Sequence, residues 1–369
     1  MPLEPEHAAM GATLTGDGAT FRLWAPAAQS VSVRGSFNGW ADTPMQRIAN
    51  GHWFVSVPGV TEGAQYTFYV RGPGSEGGKR DPHARSIADQ PEWPHSNCVL
   101  TQPGSFRWHD QGFRPPAFND VVLYQLHVGS FYATDPTGRD RRRDQPARFI
   151  DVLFRLEHLV DLGVNAVQLL PVQEFTSPRS LGYNDSDYFS PEMDYSVRPT
   201  DPEFPRYVAL VNDLLARRGH GPFAASELQC QTKQLMALID LFHVYGIAVI
   251  FDVVYNHAGG GLDDASIYFL DRQTIGDNNR SLYFIDQGWA GGLVFAYWNQ
   301  DVRQFLIDNA TFFIDEYHVD GFRFDLAATL SREDGAFDRT ASFFDLIAQD
   351  PVLNRVKMIT EPWDVGQMD

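Results

Sequence analysis

Three carboxylates stand at the ends of three short apolar runs in the second half of the chain. Asp252 and Asp325 each close an apolar run, and Glu361 directly follows the run 356–360. A glycosidase that retains the anomeric configuration needs one carboxylate as nucleophile and one carboxylic acid as proton donor, about 5–5.5 Å apart. Asp325 and Glu361 meet that demand if they end adjacent strands.

Arg323 lies two residues before Asp325, so on a strand both side chains point to the same face. Its cation would keep the aspartate ionised, as a nucleophile requires. Taken singly these signals are weak, because an Arg-Phe-Asp triplet is often an ordinary ion pair and a Glu before Pro is often a turn residue. Their joint occurrence on consecutive strands favours a catalytic arrangement.

The elements that must position these groups follow residue 120, where apolar strands alternate with amphipathic helices. This alternation predicts β/α units around a parallel sheet, and the polar residues gather at the carboxyl ends of the strands, where a (β/α)8 barrel places its active site. We predict an incomplete (β/α)8 TIM-type barrel over 120–369, with about five of eight strands and an inserted loop region at 258–300. The predicted strands are 121–128, 166–172, 248–254, 321–325 and 356–360, and the predicted helices are 149–162, 233–245 and 301–317.

The first part of the chain has a different pattern. Between residues 20 and 70, short runs alternate apolar and polar positions and are separated by Pro, Gly and Asn. This predicts an antiparallel β-sandwich over 1–105. The segment 106–119, which contains Pro115 and Pro116, is predicted to be a linker.

Composition excludes several classes of protein. The chain has 369 residues, 29 Lys plus Arg and 47 Asp plus Glu, so its net charge of −18 opposes binding to nucleic acid or anionic membranes. We expect a cytoplasmic protein, since no secretory leader pattern or apolar run of about 18 residues is present. Cys98 and Cys230 indicate neither a disulfide framework nor a metal cluster. Four histidines are expected to be surface residues: His7, His52, His83 and His109.

The segments 252–257, 321–325 and Glu361 resemble the first three signature regions of the α-amylase family of glycoside hydrolases, and 182–184 (Gly-Tyr-Asn) resembles its aromatic platform. The resemblance implies that Asp325 is the nucleophile and Glu361 the general acid/base, with Arg323 as the partner of the nucleophile.

The same resemblance implies further roles. Asp252 would brace the arginine, His257 would hydrogen-bond the sugar in the subsite being cleaved, and Tyr183 would stack beneath its ring. Trp363 is a further candidate for substrate binding. Asn256 matches a position that contributes to a calcium site in some relatives, so calcium stays open and no other cofactor is expected.

Two other features bear on function. The family's fourth signature, a His-Asp pair that supplies a third carboxylate, does not follow Glu361, so we predict a truncated form with little or no activity by itself. The strings at 21–26, 33–40 and 81–85 resemble the starch-binding module that precedes branching and debranching enzymes. Trp40 and Trp53 are therefore candidates for contact with glucan, with packing in the core as the equal alternative.

The choice of reaction depends on finer likenesses. The segments 320–327 and 361–364 look most like isoamylase-type debranching enzymes, whereas 37–40 and 124–131 lean toward branching and trehalose-releasing relatives. We predict debranching at α-1,6 bonds of glycogen-type or starch-type α-glucan. Branching and α-1,4 hydrolysis are the alternatives, and the loops that would decide, notably 173–229, are not decoded. An alternative of another class is a non-catalytic glucan-binding fragment.

Overall fold

The computed structural model describes residues 5–89, 95–134, 137–142, 144–177, 179–258, 270, 280–285, 293–333 and 337–362. The chain divides into two compact units. The first contains 1–103, 184–190 and 256–304, and the second contains 104–183, 191–255 and 305–369. The predicted boundary near 105 lies close to the first division. The segment 256–304 of the first unit overlaps the predicted inserted loop region 258–300, and the segment 184–190 has no counterpart in the predicted domains.

The N-terminal region forms two antiparallel sheets, as its alternating pattern predicts. Their strand orders are β1-β2-β6-β5 and β4-β3-β7-β8, with β9 paired to β7. Phe21 and Tyr66, one from each sheet, are almost fully buried, and their ring centroids lie 5.3 Å apart. The strands are β1 Gly11–Thr15, β2 Gly18–Trp24, β3 Ser30–Gly35, β4 Thr43–Pro44, β5 Gln46–Arg47, β6 His52–Pro58, β7 Gln65–Gly72, β8 Ser75–Lys79 and β9 Cys98–Val99.

The second unit contains a parallel sheet with the order β10-β11-β14-β18-β19 among the described residues. Chain order and sheet order agree, which is the arrangement that successive β/α units produce. The later strands are β10 Leu123–Leu126, β11 Ala166–Leu169, β12 Gln173–Phe175, β13 Asp185–Pro191, β14 Ala248–Val253, β15 His257–Ala258, β16 Phe284–Ile285, β17 Leu293–Phe295, β18 Gly321–Phe324 and β19 Lys357–Thr360.

The helices differ from the predicted ones in several places, and α1 and α7, whose ranges are given below, were not predicted. The predicted helix 149–162 is broken at Phe154 and Arg155, and the loop predicted over 173–229 contains a helix of fourteen residues, α4. No helix in the described part of the chain is both long and apolar enough to cross a lipid bilayer. The helices are α1 Val128–Phe131, α2 Phe149–Leu153, α3 Leu156–Asp161, α4 Phe204–Arg217, α5 Gln231–Val244, α6 Gln300–Tyr317 and α7 Ser342–Gln349.

The central position of β18 depends on a glycine. Gly321 pairs with Ile250 of β14 on one side and with Lys357 of β19 on the other. A Cβ atom at this position would lie 2.3 Å from the carbonyl oxygen of Lys357 and 2.9 Å from Cδ1 of Ile250. The three strands therefore approach one another in a way that no other residue at 321 permits.

The segment predicted as a linker, 106–119, is part of the second unit. Asp110 Oδ2 lies 3.0 Å from Nδ1 of His243 and 2.7 Å from Nδ1 of His318. His109 Nδ1 lies 2.7 Å from Oδ2 of Asp240, and only 9% of His109 is exposed. The surface prediction for His109 is therefore wrong, because the buried carboxylate of Asp240 binds this residue. His52 is likewise buried in the first unit.

Candidate active site

Arg323 lies at the centre of the predicted constellation. Its Nη1 donates to Asp252 Oδ1 at 2.7 Å and to Asp325 Oδ1 at 2.9 Å, and its Nη2 lies 2.5 Å from Glu361 Oε1. The order β14-β18-β19 explains this arrangement, since each neighbouring strand brings one carboxylate to the end of β18. The structure thus brings three of the predicted residues together around the guanidinium of a fourth.

The charges in this cluster are strongly coupled. Burial opposes the charge on Arg323, but the carboxylates of Asp252, Asp325 and Glu361 outweigh burial and raise its pKa above the ordinary value. Burial raises the pKa of Asp252 to about 6, against the opposing effects of Arg323 and the Tyr183 hydroxyl. The arginine therefore remains a cation, and its charge favours ionisation of the buried carboxyl of Asp252.

Asp252 is held from three directions. Besides Arg323, it accepts a hydrogen bond from the hydroxyl of Tyr183 at 2.8 Å and one from Nε2 of Gln168 at 3.0 Å. Burial, followed by the charge of Asp252, raises the pKa of Tyr183. The aromatic ring predicted to stack on a sugar thus also braces the carboxylate. Gln168 was not among the predicted site residues, although a polar residue within the apolar run of β11 could have indicated a role in the site.

Tyr183 is positioned by the turn before it. Gly182 has a φ of 92°, and a Cβ there would lie 2.7 Å from the carbonyl oxygen of Pro171. Only glycine adopts this conformation at such a close approach without strain. The turn therefore fixes where the tyrosine ring enters the site.

The backbone that follows Asp325 contacts Glu361 directly. The N–H of Leu326 donates to Glu361 Oε2 at 2.8 Å, and the N–H of Ala327 donates to the carbonyl oxygen of Glu361 at 3.2 Å. Asp325 N–H donates to Val253 O at 3.1 Å. Leu326 has φ 43° and ψ 52°, the left-handed region. No signal in the sequence indicates this conformation, because leucine is rarely found there.

His257 and Asn256 belong to the first unit. His257 is 8% exposed, its Nδ1 contacts Asn256 Oδ1, and its carbonyl oxygen accepts a hydrogen bond from the hydroxyl of Tyr188 at 3.2 Å. Asn256 is fully buried. Within the described ranges, no group of three or more His, Cys, Asp or Glu could hold a metal ion. These residues alone do not fit a calcium site.

The two tryptophans predicted to contact glucan in the N-terminal region differ in their exposure to solvent. Trp40 is 41% exposed and follows Gly39 in a turn. Trp53 is 5% exposed, and its Nε1 donates to the carbonyl oxygen of Ala25 at 3.0 Å. Trp53 therefore packs in the core, and its prediction as a glucan contact is corrected, because neither ring face is open to a sugar. Trp363 lies outside the described residues.

The chain is similar in sequence to several known proteins. Residues 9–90 match the model of carbohydrate-binding module 48, the isoamylase N-terminal domain. The chain is 28% identical over 414 residues to the glycogen operon protein GlgX homolog of Mycobacterium tuberculosis, covering 97% of this chain and 52% of that protein. It is 32% identical over 344 residues to isoamylase 3, chloroplastic, of Oryza sativa, covering 85% of this chain and 41% of the relative.

The fold also resembles that of a solved structure. The structure of pullulanase type I from Bacillus subtilis matches with a TM-score of 0.71 at 23% identity, over 98% of this chain and 48% of the other. The chain spans about half the length of the curated relatives it matches. Residues 9–90 thus match an isoamylase-type N-terminal module, and the chain is a homologue of proteins named isoamylase, GlgX homolog and branching enzyme.

Proposed function

We propose that the protein carrying this chain is a retaining glycoside hydrolase that cleaves α-1,6 branch points of an α-glucan such as glycogen or starch. The observation that carries the proposal is the shared cation. Asp325 and Glu361, at the ends of adjacent parallel strands, both bind Arg323. A protein that only binds glucan has no need of such a pair of carboxyl groups.

The mechanism follows from the positions of the two groups. Glu361, in its acid form, donates a proton to the glycosidic oxygen while the carboxylate of Asp325 attacks the anomeric carbon, so that the C–O bond breaks and a glycosyl ester forms. Glu361 then removes a proton from water, which attacks the same carbon and releases Asp325. Arg323 donates a hydrogen bond to Asp325 and so holds its carboxylate in place.

The remaining residues would assist substrate binding. Asp252 braces Arg323, Tyr183 offers a ring beneath the sugar, and we propose His257 and Trp363 as further sugar contacts. Trp40, the exposed tryptophan, would contact glucan in the N-terminal module.

Several finer points belong to the same proposal. The strands β10, β11, β14, β18 and β19 would be five of the eight strands of a (β/α)8 barrel. We propose a cytoplasmic location and an α-glucan polysaccharide or oligosaccharide as partner, with neither nucleic acid nor membrane, in keeping with the net charge of −18. Calcium is an optional ligand, and activity measured with and without a chelator tests its contribution.

Debranching is the first candidate because the segments that contain Asp325 and Glu361, 320–327 and 361–364, resemble those of isoamylase-type debranching enzymes. Branching remains the second candidate, since the chain is also 28% identical to a 1,4-alpha-glucan branching enzyme of Thermosynechococcus vestitus over 85% of its length. Hydrolysis of α-1,4 bonds is the third. Each reaction uses the same pair of carboxyl groups and differs in the bond attacked and in the acceptor.

The test uses the whole gene product with amylopectin. Debranching releases reducing ends and deepens the iodine colour, branching weakens the colour without releasing reducing ends, and internal α-1,4 cleavage weakens it while releasing them. Asp325→Asn and Glu361→Gln should each abolish turnover while glucan binding is retained. Binding of glucan without turnover by the unchanged protein would favour the non-catalytic alternative.

A further inference from the structure

The residue that follows the nucleophile has a backbone conformation that its side chain disfavours. Leu326 has φ 43° and ψ 52°, where the Cβ of an L-residue crowds the next carbonyl oxygen. The side chain is 6% exposed, so burial holds the residue in place. Conformations of this kind persist only where the surrounding structure enforces them, and they cluster at functional sites.

The conformation directs two consecutive N–H groups at one residue. Leu326 N–H donates to the carboxyl oxygen Oε2 of Glu361 at 2.8 Å, and Ala327 N–H donates to its carbonyl oxygen at 3.2 Å. The φ of Leu326 sets the direction of the second N–H relative to the first. With an extended φ, the two groups would point apart, and one of these hydrogen bonds would be lost.

A second contact defines the position of the acid. Glu361 N–H donates to Phe324 O at 3.1 Å, and its Oε1 lies 2.5 Å from Nη2 of Arg323. The carboxyl group is thus fixed at both oxygens, one by a side chain and one by the peptide that links residues 325 and 326. That peptide connects the nucleophile to the group that protonates the leaving oxygen.

We infer that Leu326 is a positioning residue whose left-handed backbone sets the place of the Glu361 carboxyl group relative to Asp325. The inference rests on the proposed function, because it assigns Glu361 to proton donation. A residue that merely forms a turn would affect stability and leave the proton-donation step unchanged.

The test compares two substitutions and two substrates in the whole gene product. Leu326→Val introduces a β-branched side chain that resists the left-handed region, whereas Leu326→Gly adopts it freely. With amylopectin or a maltooligosaccharide, the valine variant should lose about 10- to 100-fold in kcat with KM unchanged, a part of what general acid catalysis supplies. The glycine variant should stay within about threefold of the parent.

The second substrate is an α-maltosyl fluoride, whose fluoride leaves with little protonation. If Leu326 acts through the acid, the valine variant should lose far less activity with the fluoride than with the glucan. Asn50→Val is the matched control, since Asn50 is also left-handed at φ 56° but is exposed and lies in the first unit. It should lower stability without changing kcat on either substrate.

Equal losses on both substrates, or valine and glycine variants that behave alike, would overturn the inference. If the unchanged protein turns over neither substrate, the proposed function fails instead, and hydrogen exchange then tests the contact itself. In Glu361→Ala, the protection of the Leu326 amide against hydrogen exchange should fall at least about tenfold. Unchanged protection would show that this carboxyl group does not hold the amide.

Discussion

His243, in helix α5, lies between the carboxylates of Asp110 and Asp320. Its Nδ1 is 3.0 Å from Asp110 Oδ2, and its Nε2 is 2.9 Å from Asp320 Oδ2. Both nitrogens therefore donate, which only the charged imidazolium form can do. The side chain is 2% exposed, so solvent screens this cation little.

The contribution of the charged His243 to folding stability follows from its raised pKa. Burial opposes the charge, but the hydrogen bonds and charges of Asp110 and Asp320 raise the pKa of His243 to about 9. Relative to an unfolded value of about 6.5, this corresponds to about 3 kcal/mol of stabilisation. Because the folded pKa is raised, the stabilisation is fully present below pH 6.5 and is lost as the pH rises through 9.

The same cluster sets a limit on the acid side. Burial opposes ionisation of Asp110, but its hydrogen bonds to His243 and His318 outweigh burial and lower its pKa. A carboxyl with a lowered pKa stabilises the fold above its ordinary pKa and loses this effect as the pH falls below it. The cluster is therefore most stabilising between about pH 4 and 6.5.

The perturbation is His243→Gln, which keeps a polar side chain of similar size but cannot carry the charge. Urea unfolding at several pH values from 6 to 10, with proteolysis of the segment 104–119 as a local probe, measures the difference between the two proteins. The difference should shrink by about 3 kcal/mol across this range. A difference that stays constant with pH would refute the argument, as would a His243 ring that titrates near 6.5 by NMR.

Three further predictions concern other contacts. Tyr183→Phe removes the hydrogen bond to Asp252 and should lower kcat/KM of the active protein about tenfold, measured by reducing-end release. Gly182→Ala should cost at least about 1–2 kcal/mol in urea unfolding, because the left-handed conformation is strained and the new Cβ meets a backbone carbonyl. Arg80→Met breaks a buried ion pair with Asp187 at 2.8 Å and should cost about 3–5 kcal/mol in thermal or urea unfolding.

Matched variants separate these causes. Gly163→Ala carries the same conformational penalty at φ 79° but meets no atom within 4 Å, so Gly182→Ala should be the more destabilising of the two. Adding Asp187→Leu to Arg80→Met should recover much of the loss, since two apolar side chains replace an unpaired buried charge. Equal effects of both glycine changes, or no recovery in the double variant, would contradict the reasoning.

The sequence predicted the parallel sheet and the cluster around Arg323 for a shared physical reason. Each strand is an apolar run with a clear end, and parallel strands bring their carboxyl ends to one edge. The chain order of Asp252, Asp325 and Glu361 was therefore enough to place them together. Strand ends were predicted too long, because the apolar runs continue beyond the paired residues, as at 121–128 against the observed Leu123–Leu126.

The remaining features depend on information that residue types do not carry. Helix α4 was missed although Tyr207, Val211 and Leu214 are buried at helical spacing, because the whole segment was read as a loop. The packing of 106–119 depends on carboxylates paired with distant histidines, which spacing along the chain cannot show. The left-handed Leu326 is a consequence of tertiary contacts that override local preference.

Gly321 affects which side chains of β18 lie on each face of the sheet. In a strand, a slip of one residue moves every side chain to the opposite face of the sheet. Such a slip in β18 would turn Arg323 and Asp325 away together and would bring a residue with a Cβ to the place where Lys357 and Ile250 leave no space. Gly321 therefore fixes the register of β18, and with it the face of the sheet on which Arg323 and Asp325 lie.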